Sequence, residues 1–384
     1  MHTATTTDAP ASPGEAASKR LPLLDVLRGV AILGTLGTNV WIFTAPHGEA
    51  GPLLGWAATD ATVLGAAFEF LANGKFIAML TMLFGVGLAI QHRSAAKRGR
   101  RWPGRYHWRT LFLFVEGAVH FTLVFAWDVL MGYAVTAIAV AWMLTRSRTF
   151  RRAAMWTSLT LHLALMGLIT NAMFTGPGID PQREPSVEAL YASGSWIEQV
   201  QFRLDNALAF RIEPIVAFPL MTFLFLLGVE LFRAGAFGAD ERARSVRSRL
   251  LRWGLGVGAP VTIALMAGPE ELFFLERYVA APVLALGYIG LTGWLVDRFR
   301  PGPLMAGLSS LGRTALSGYI LQNLLASAVC YGWGLGLAAR FGNSAWFGAA
   351  LWLAISAVLV VGARLWLRRF ATGPAEMLQK TLIR

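Results

Sequence analysis

The sequence predicts an all-α fold, a polytopic transmembrane helical bundle of about ten spans, and three observations lead there. Hydrophobic residues make up 55 % of the chain and charged residues 15 %, with a mean hydropathy of +0.52. Apolar stretches of about 20 residues recur, the length an α-helix needs to cross roughly 30 Å of hydrocarbon. These stretches do not alternate, as the short segments of a membrane β-barrel would.

Taken in order, the first span is expected at 26–45. It is too long for the apolar region of a secretion signal and is interrupted near its start by Asp25 and Arg28, so it is expected to stay in the membrane uncleaved. Before it, residues 1–20 are mostly Ala, Thr, Ser and Pro and read as a disordered cytoplasmic tail. Residues 58–72, with Asp60 and Glu69, form an extra apolar helix at the outer interface or a re-entrant piece. It leads through Asn73, Gly74 and Lys75 into a second span at 73–92. The third, 109–127, carries Glu116 and His120, and Asp128 marks the turn into the fourth, 128–145. A fifth at 153–173 lies between a basic cluster and the longest polar connection, 174–211, an outer loop able to cap the bundle. Spans at 212–233, 252–269, 272–296, 314–334 and 345–367 complete a single integral domain over 21–384, with no strong internal repeat.

Lys and Arg are retained on the cytoplasmic side of membrane spans. With both termini inside, 27 of the 34 basic residues fall in inner segments, including seven from Arg93 to Arg109 and six from Arg233 to Arg252. Only Arg183, Arg203, Arg211, Arg277 and Arg340 fall in outer loops, with Lys75 at an outer junction and Arg28 inside the first span. The net charge of +12 is therefore spread over short loops rather than gathered on a soluble module, which argues against nucleic acid as a partner. Membrane lipids with anionic headgroups, or a polyanionic cytosolic substrate, fit it better. Cys330 is the one cysteine, which excludes an internal disulfide and a thiolate metal cluster. No metal ligand set is evident. The excess of Arg over Lys and the abundance of Ala and Gly associate with a bacterial genome, hence a plasma membrane.

Four constellations carry chemistry. Asp25 and Arg28, three residues apart, form a salt bridge that makes burial tolerable, or leave Arg28 to hold an anionic group in a cytoplasmic cavity. Asn39, about 16 Å further along the same helix, bonds a neighbouring helix or lines that cavity, while His47 beyond the span reads as a solvated loop residue. Glu116 and His120 lie four residues apart on one helical face. His120 is either a core histidine bonded to Glu116, or a general base or proton-relay station near mid-membrane, since imidazole titrates near neutrality. Lys75 snorkels to the interface or places a substrate, with Gly85 and Gly87 below it for close packing. In the ninth span Arg313, Tyr319, Gln322 and Asn323 are interhelical bonding groups or substrate contacts. Ionisable groups inside spans cost roughly 2.5–3.5 kcal/mol each on insertion scales, so they face a bundle interior or a cavity.

These motifs together resemble the YeiB family, domain of unknown function 418. They are LLDVLRGVAILG with Asn39, Phe43 and Pro46, then GKFIAMLTMLFGVGLAIQ, then Val119–His120 followed by WDVLMGYA, then GRTALSGYILQ and WLRRFATGPAEMLQ, covering about residues 21–382. The first span is also similar to that of transmembrane acyltransferases, including acyltransferase family three and heparan-alpha-glucosaminide N-acetyltransferase. That similarity implies transfer of an acyl group from cytosolic acyl-CoA, a co-substrate rather than a tightly bound cofactor, to a glycan, lipid or small-molecule acceptor. In acyltransferase family three an arginine is followed, after ten residues, by a histidine. Here Arg28 stands in register and the end position is Asn39, so an imidazole has to come from elsewhere, and His120 is the candidate.

The expected activity is therefore a membrane acyltransferase with His120, Glu116 and Asp128 as catalytic residues and Asp25, Arg28, Asn39, Lys75, Arg313, Tyr319, Gln322 and Asn323 as substrate contacts. Two alternatives stay open: a proton-coupled transporter or exporter of a small solute or lipid-linked molecule, and a non-catalytic membrane scaffold. A homo-oligomer is compatible with any of the three.

Overall fold

The computed structural model describes residues 21–55, 62–176, 184–300, 302–342 and 344–383, all helix and connection. The expected N-terminal tail, Asp60 and Arg183 lie outside those residues. In chain order the helices are α1 (Pro22–Thr44), α2 (Val63–Ala72), α3 (Lys75–Lys97), α4 (Tyr106–Leu123), α5 (Leu130–Met143), α6 (Arg148–Thr175), α7 (Pro185–Ser193), α8 (Trp196–Asp205) and α9 (Ala207–Val216). They continue as α10 (Phe218–Ala234), α11 (Glu241–Met266), α12 (Phe273–Leu275), α13 (Ala281–Arg298), α14 (Pro303–Arg313), α15 (Ala315–Cys330), α16 (Leu337–Phe341), α17 (Ala345–Arg369) and α18 (Pro374–Leu382). A 3-10 turn, Gly48–Leu54, follows α1, and a π turn, Glu276–Ala280, leads into α13.

Five of these elements are long and apolar enough to cross a membrane: α1, the α2–α3 run Val63–Lys97, α6, Glu270–Arg298 and α17. The pair α9 and α10, bent by 46°, makes a sixth if it is one broken span. The expected helical bundle is thus present, with five or six membrane-length helices rather than about ten. The remaining four predicted runs are helical but fall short for separable reasons. At a rise of 1.5 Å per residue α5 and α15, with 14 and 16 residues, reach only about 21 and 24 Å. Helix α4 holds Arg109, Glu116 and His107 among its 18 residues, and α11 opens on five arginines.

Helix α1 is the axis of the bundle, with Leu27, Ala31, Leu36, Val40 and Phe43 inaccessible to solvent. Lipid-type residues cover the outside instead, among them exposed Trp156, Leu161 and Leu168 on α6 and Trp346, Leu353 and Val361 on α17. Close crossings rest on glycine, as expected where helices lack a hydrophobic drive to associate and gain from backbone proximity. A Cβ on Gly29 would lie 2.0 Å from Leu308 O, and one on Gly312 would lie 1.7 Å from Asp25 O, so α1 and α14 touch backbone to backbone. Gly85 and Gly228 do the same for α3 and α10.

These crossings sort the molecule into two ends. Asp25, Gly312, Arg313 and the C-terminal α18 share one end, where Arg313 donates to Ala371 O at 3.1 Å. At the other, the Gly48–Leu54 turn, the α4–α5 turn and helices α7 to α9 form the cap that the long connection was expected to supply. Its keystone is Glu49, fully buried, which takes two hydrogen bonds from Arg203 at 3.0 and 3.1 Å and one from Ala126 N at 2.7 Å.

Candidate functional site

His120 lies in the last turn of α4, which ends at Leu123. The amides of Val124 and Phe125 both return to the His120 carbonyl at 2.9 Å, and the chain unwinds into a turn that brings Asp128 back beside the imidazole. Gly117 makes this possible: a Cβ there would lie 2.8 Å from Met131 N and 2.9 Å from Asp128 Oδ1. Asp128 is then fixed from both sides. Its Oδ1 accepts the amides of Leu130 at 2.9 Å and Met131 at 3.4 Å, as a carboxylate does at a helix N-terminus. Its Oδ2 lies 2.9 Å from His120 Nδ1 and accepts the Tyr319 hydroxyl at 3.3 Å.

The network has one consistent polarity. Asp128 accepts, so Nδ1 of His120 carries the proton and Nε2 presents a lone pair. Asn323 Nδ2 donates to that Nε2 at 3.4 Å, and Asn323 Oδ1 accepts from Asn39 Nδ2 at 3.2 Å. Asn39, His120, Asp128, Tyr319 and Asn323 are all nearly inaccessible. Three helices, α1, α4 and α15, therefore contribute to one chain of bonds in which carboxylate orients imidazole, the arrangement found in hydrolytic triads.

Of the residues singled out by sequence, five meet here: Asn39, His120, Asp128, Tyr319 and Asn323. Glu116 is corrected. It was expected to hold His120 from one turn below, yet both its carboxylate oxygens are buried without a hydrogen-bond partner, and Asp128 takes that role. Gln322 is corrected as well, since neither end of its amide bonds a neighbouring helix. Arg28 stays at the far end of α1, 3.6 Å from Asp25, and Arg313 is bound to Ala371 at that same end. His47 is not solvated but 4 % exposed, its Nε2 3.2 Å from Glu188 Oε1.

Lys75 does not snorkel. It is fully buried in an ion pair with Glu276 and donates to Glu69 O at 3.0 Å. Gly74, with φ +72°, turns α2 into α3 so that this lysine points inward, and it packs on the carbonyl of Arg277. Glu276 also accepts Asn73 Nδ2 at 2.7 Å, and Asn73 accepts from Arg277. Arg277 reaches Glu213 at 3.2 Å, and the Tyr278 hydroxyl donates to the same carboxylate at 2.5 Å.

Between this charged cluster and the histidine site lies a cavity of about 70 Å³, walled by Asp128, Trp127 and Tyr133 on one side and by Arg211, Glu213, Arg277 and Tyr278 on the other. Arg211 donates to the carbonyls of Asp128 at 2.9 Å and of Ala126, and its guanidinium stacks 4.2 Å over Phe121.

The sequence reading passed over Glu49, Arg203, Arg211, Glu213, Glu276 and Tyr278. One signal was available. Basic residues are few on the cap side, and of the four arginines described there Arg203, Arg211 and Arg277 are tied into the structure while Arg340 is exposed.

Fold and site together define a helical membrane protein with a buried Asp–His pair at the heart of its bundle. Residues 231–384 match the family described as "Protein of unknown function (DUF418)". The chain is 26 % identical over 388 residues to the uncharacterized protein YxaH of Bacillus subtilis (strain 168), which spans 95 % of this chain and 94 % of that one. It is 27 % identical over 386 residues to the uncharacterized protein YeiB of Escherichia coli (strain K12), covering 94 % and 95 % respectively. The chain is thus similar over nearly its whole length to YxaH and YeiB, and over its C-terminal part to the DUF418 family.

Proposed function

We propose that this chain is a YeiB-family protein, a multi-pass protein of a bacterial plasma membrane with ten crossings and both termini cytoplasmic, that transfers an acyl group from cytosolic acyl-CoA to an acceptor at the membrane or its outer face. The observation that carries the proposal is the 2.9 Å contact between His120 Nδ1 and Asp128, with Asp128 locked by backbone amides. A carboxylate so held fixes the imidazole tautomer and stabilises the imidazolium that forms when Nε2 takes a proton.

In this reaction an acceptor hydroxyl takes the place of the Asn323 amide at Nε2 and gives its proton to the imidazole as its oxygen attacks the thioester carbonyl. The tetrahedral intermediate collapses with cleavage of the carbon–sulfur bond, and the imidazolium returns the proton to the departing CoA thiolate. Asn39 and Asn323 supply amide donors for the developing oxyanion, a role that suits asparagine even though it cannot act as a base. Arg28, near the cytoplasmic end of α1, is suited to the anionic part of the CoA. Lys75, already neutralised by Glu276, is better suited to holding α3 against the Glu276 turn than to touching substrate.

The test is to incubate purified protein with labelled acyl-CoA and candidate acceptors, beside His120→Ala. Acyl transfer or CoA release by the wild type, reduced at least 100-fold in the variant, is expected. No transfer, no CoA release and no CoA binding would sink the reading.

One observation favours a proton-coupled transporter as the second reading. Charged groups continue from Asp128 past Arg211 and Glu213 to Arg277 and the Lys75–Glu276 pair, as a proton pathway requires. Flux of a solute into liposomes that follows a proton gradient without any acyl donor would favour it.

A further inference from the structure

The cavity at the cap end has the anatomy of a small ligand site: an apolar chamber with few converging polar groups. Its walls are chiefly Trp127, Phe210, Leu220, Met221 and Leu224, and among the described residues one cation of the lining has no carboxylate within ion-pair distance. That cation is Arg211. Its two terminal nitrogens are spent on the carbonyls of Asp128 and Ala126, and its Nε is buried without a partner. Arg277, the other guanidinium of the lining, is already bonded through all three of its nitrogens to Asn73, Glu213 and Tyr278. Carbonyl oxygens satisfy hydrogen bonds but form no ion pair, and the nearby Asp128 carboxylate is committed to His120, Tyr319 and two backbone amides, so Arg211 has no carboxylate in direct contact.

We infer that this cavity binds a small monocarboxylate, with its anionic end on Arg211 and its short apolar body against Trp127, Phe210 and Leu220. The volume of about 70 Å³ admits a body of only a few heavy atoms. A dianion is disfavoured because Asp128 and Glu213 flank the same chamber, and a second negative charge there would face two carboxylates. The ligand is either a free short-chain acid or the carboxylate end of a longer molecule that leaves by the half-exposed side of α9, where Arg211, Glu213 and Ala217 lie. The site stands on its own geometry and does not depend on acyl transfer.

The test is binding to the purified full chain in nanodiscs, by calorimetry and by thermal shift, in the absence of any acyl donor. The probes are acetate, propionate, butyrate, octanoate, propionamide and inorganic phosphate. Saturable binding of propionate is expected, with propionamide and phosphate bound at least tenfold more weakly. Arg211→Gln is expected to weaken propionate at least tenfold. Because that change also removes bonds to the α4–α5 turn, Ala217→Phe serves as a second variant that fills the cavity and keeps the guanidinium, and it is expected to weaken propionate as much. Loss of affinity at octanoate marks a free short acid, and retained affinity marks the end of a longer ligand; both support the site. Failure of every carboxylate to bind the wild type, equal binding by both variants, or phosphate binding as tightly as propionate would overturn it.

Discussion

Two regions of this bundle bury ionisable side chains, and they solve the problem in opposite ways. Around Lys75 each charge meets an opposite charge: Lys75 with Glu276, Arg277 with Glu213, and Asn73 bridging the two. Around His120 one carboxylate is surrounded by neutral donors, namely an imidazole, a phenol and two backbone amides. The first arrangement is closed, because its charges are cancelled within the protein. The second leaves a lone pair on Nε2 held only by a 3.4 Å amide contact, and a group held that loosely can exchange its partner for a substrate. Ion pairing here serves architecture, and the neutral network is the one the proposed reaction uses.

The sharpest way to break this comparison is to remove one member of the closed cluster. Lys75→Met leaves the Glu276 carboxylate buried without its cation, and losing one partner of a buried pair costs about 3–5 kcal/mol. We expect a severe loss of folded protein, read by size-exclusion yield and thermal midpoint, with substantial recovery in the double variant Lys75→Met with Glu276→Leu. Recovery would separate structural charge from functional charge.

A somewhat smaller effect is expected where the backbones touch. Gly312→Ala places a methyl group 1.7 Å from Asp25 O, and overpacking of this kind costs about 1–3 kcal/mol. Thermal unfolding should show it, with the same direction for Gly29→Ala against Leu308. An unchanged midpoint would mean that α1 and α14 do not cross as closely as described.

The histidine site behaves differently under mutation. Asn39→Ala removes a donor to Asn323 and leaves a buried amide oxygen unsatisfied, at about 1–3 kcal/mol. Its effect on any catalysed reaction should exceed its effect on stability, because the amide chain positions Nε2. A thermal midpoint lowered together with unchanged turnover would assign Asn39 to architecture.

The smallest effect lies in the cap. Ser195 caps α8 in a reciprocal box with Glu198, whose carboxyl is held below the usual carboxylate range by hydrogen bonds from the Ser195 backbone and hydroxyl. A depressed carboxyl pKa stabilises the fold fully above the ordinary value of 4.5 and loses that contribution as pH falls through the lower folded value. Protection factors at the first turn of α8, taken relative to intrinsic exchange at each pH, should therefore fall on acidification. Glu198→Gln should remove most of that pH dependence.

The two regions also differ in how far they could be read from sequence. The apolar run places His120 on a helix, and it is the structure that gathers Asn39, Tyr319 and Asn323 around it. The partner of His120 was misread for a physical reason. Spacing within a regular helix favours Glu116 at four residues, but α4 unwinds after Leu123, and the turn admitted by Gly117 returns Asp128 from eight residues away. The closed cluster was hidden because its pairs join distant segments, Lys75 with Glu276 and Arg277 with Glu213. For the same reason Glu49 with Arg203 went unseen, and so did Glu376, which accepts the Leu316 amide at 2.9 Å and the Ser317 hydroxyl at 2.6 Å and so joins the two C-terminal motifs. Helix lengths were only partly legible, since apolar runs continue through the breaks that shorten α5 and α15.

The central claim is that Asp128 orients His120 for proton transfer. It is tested most directly by single-turnover release of CoA from labelled acyl-CoA, comparing the wild type with Asp128→Asn at matched folded concentration. The account predicts a fall of at least 100-fold in rate in the variant. Equal rates in the two proteins would contradict it.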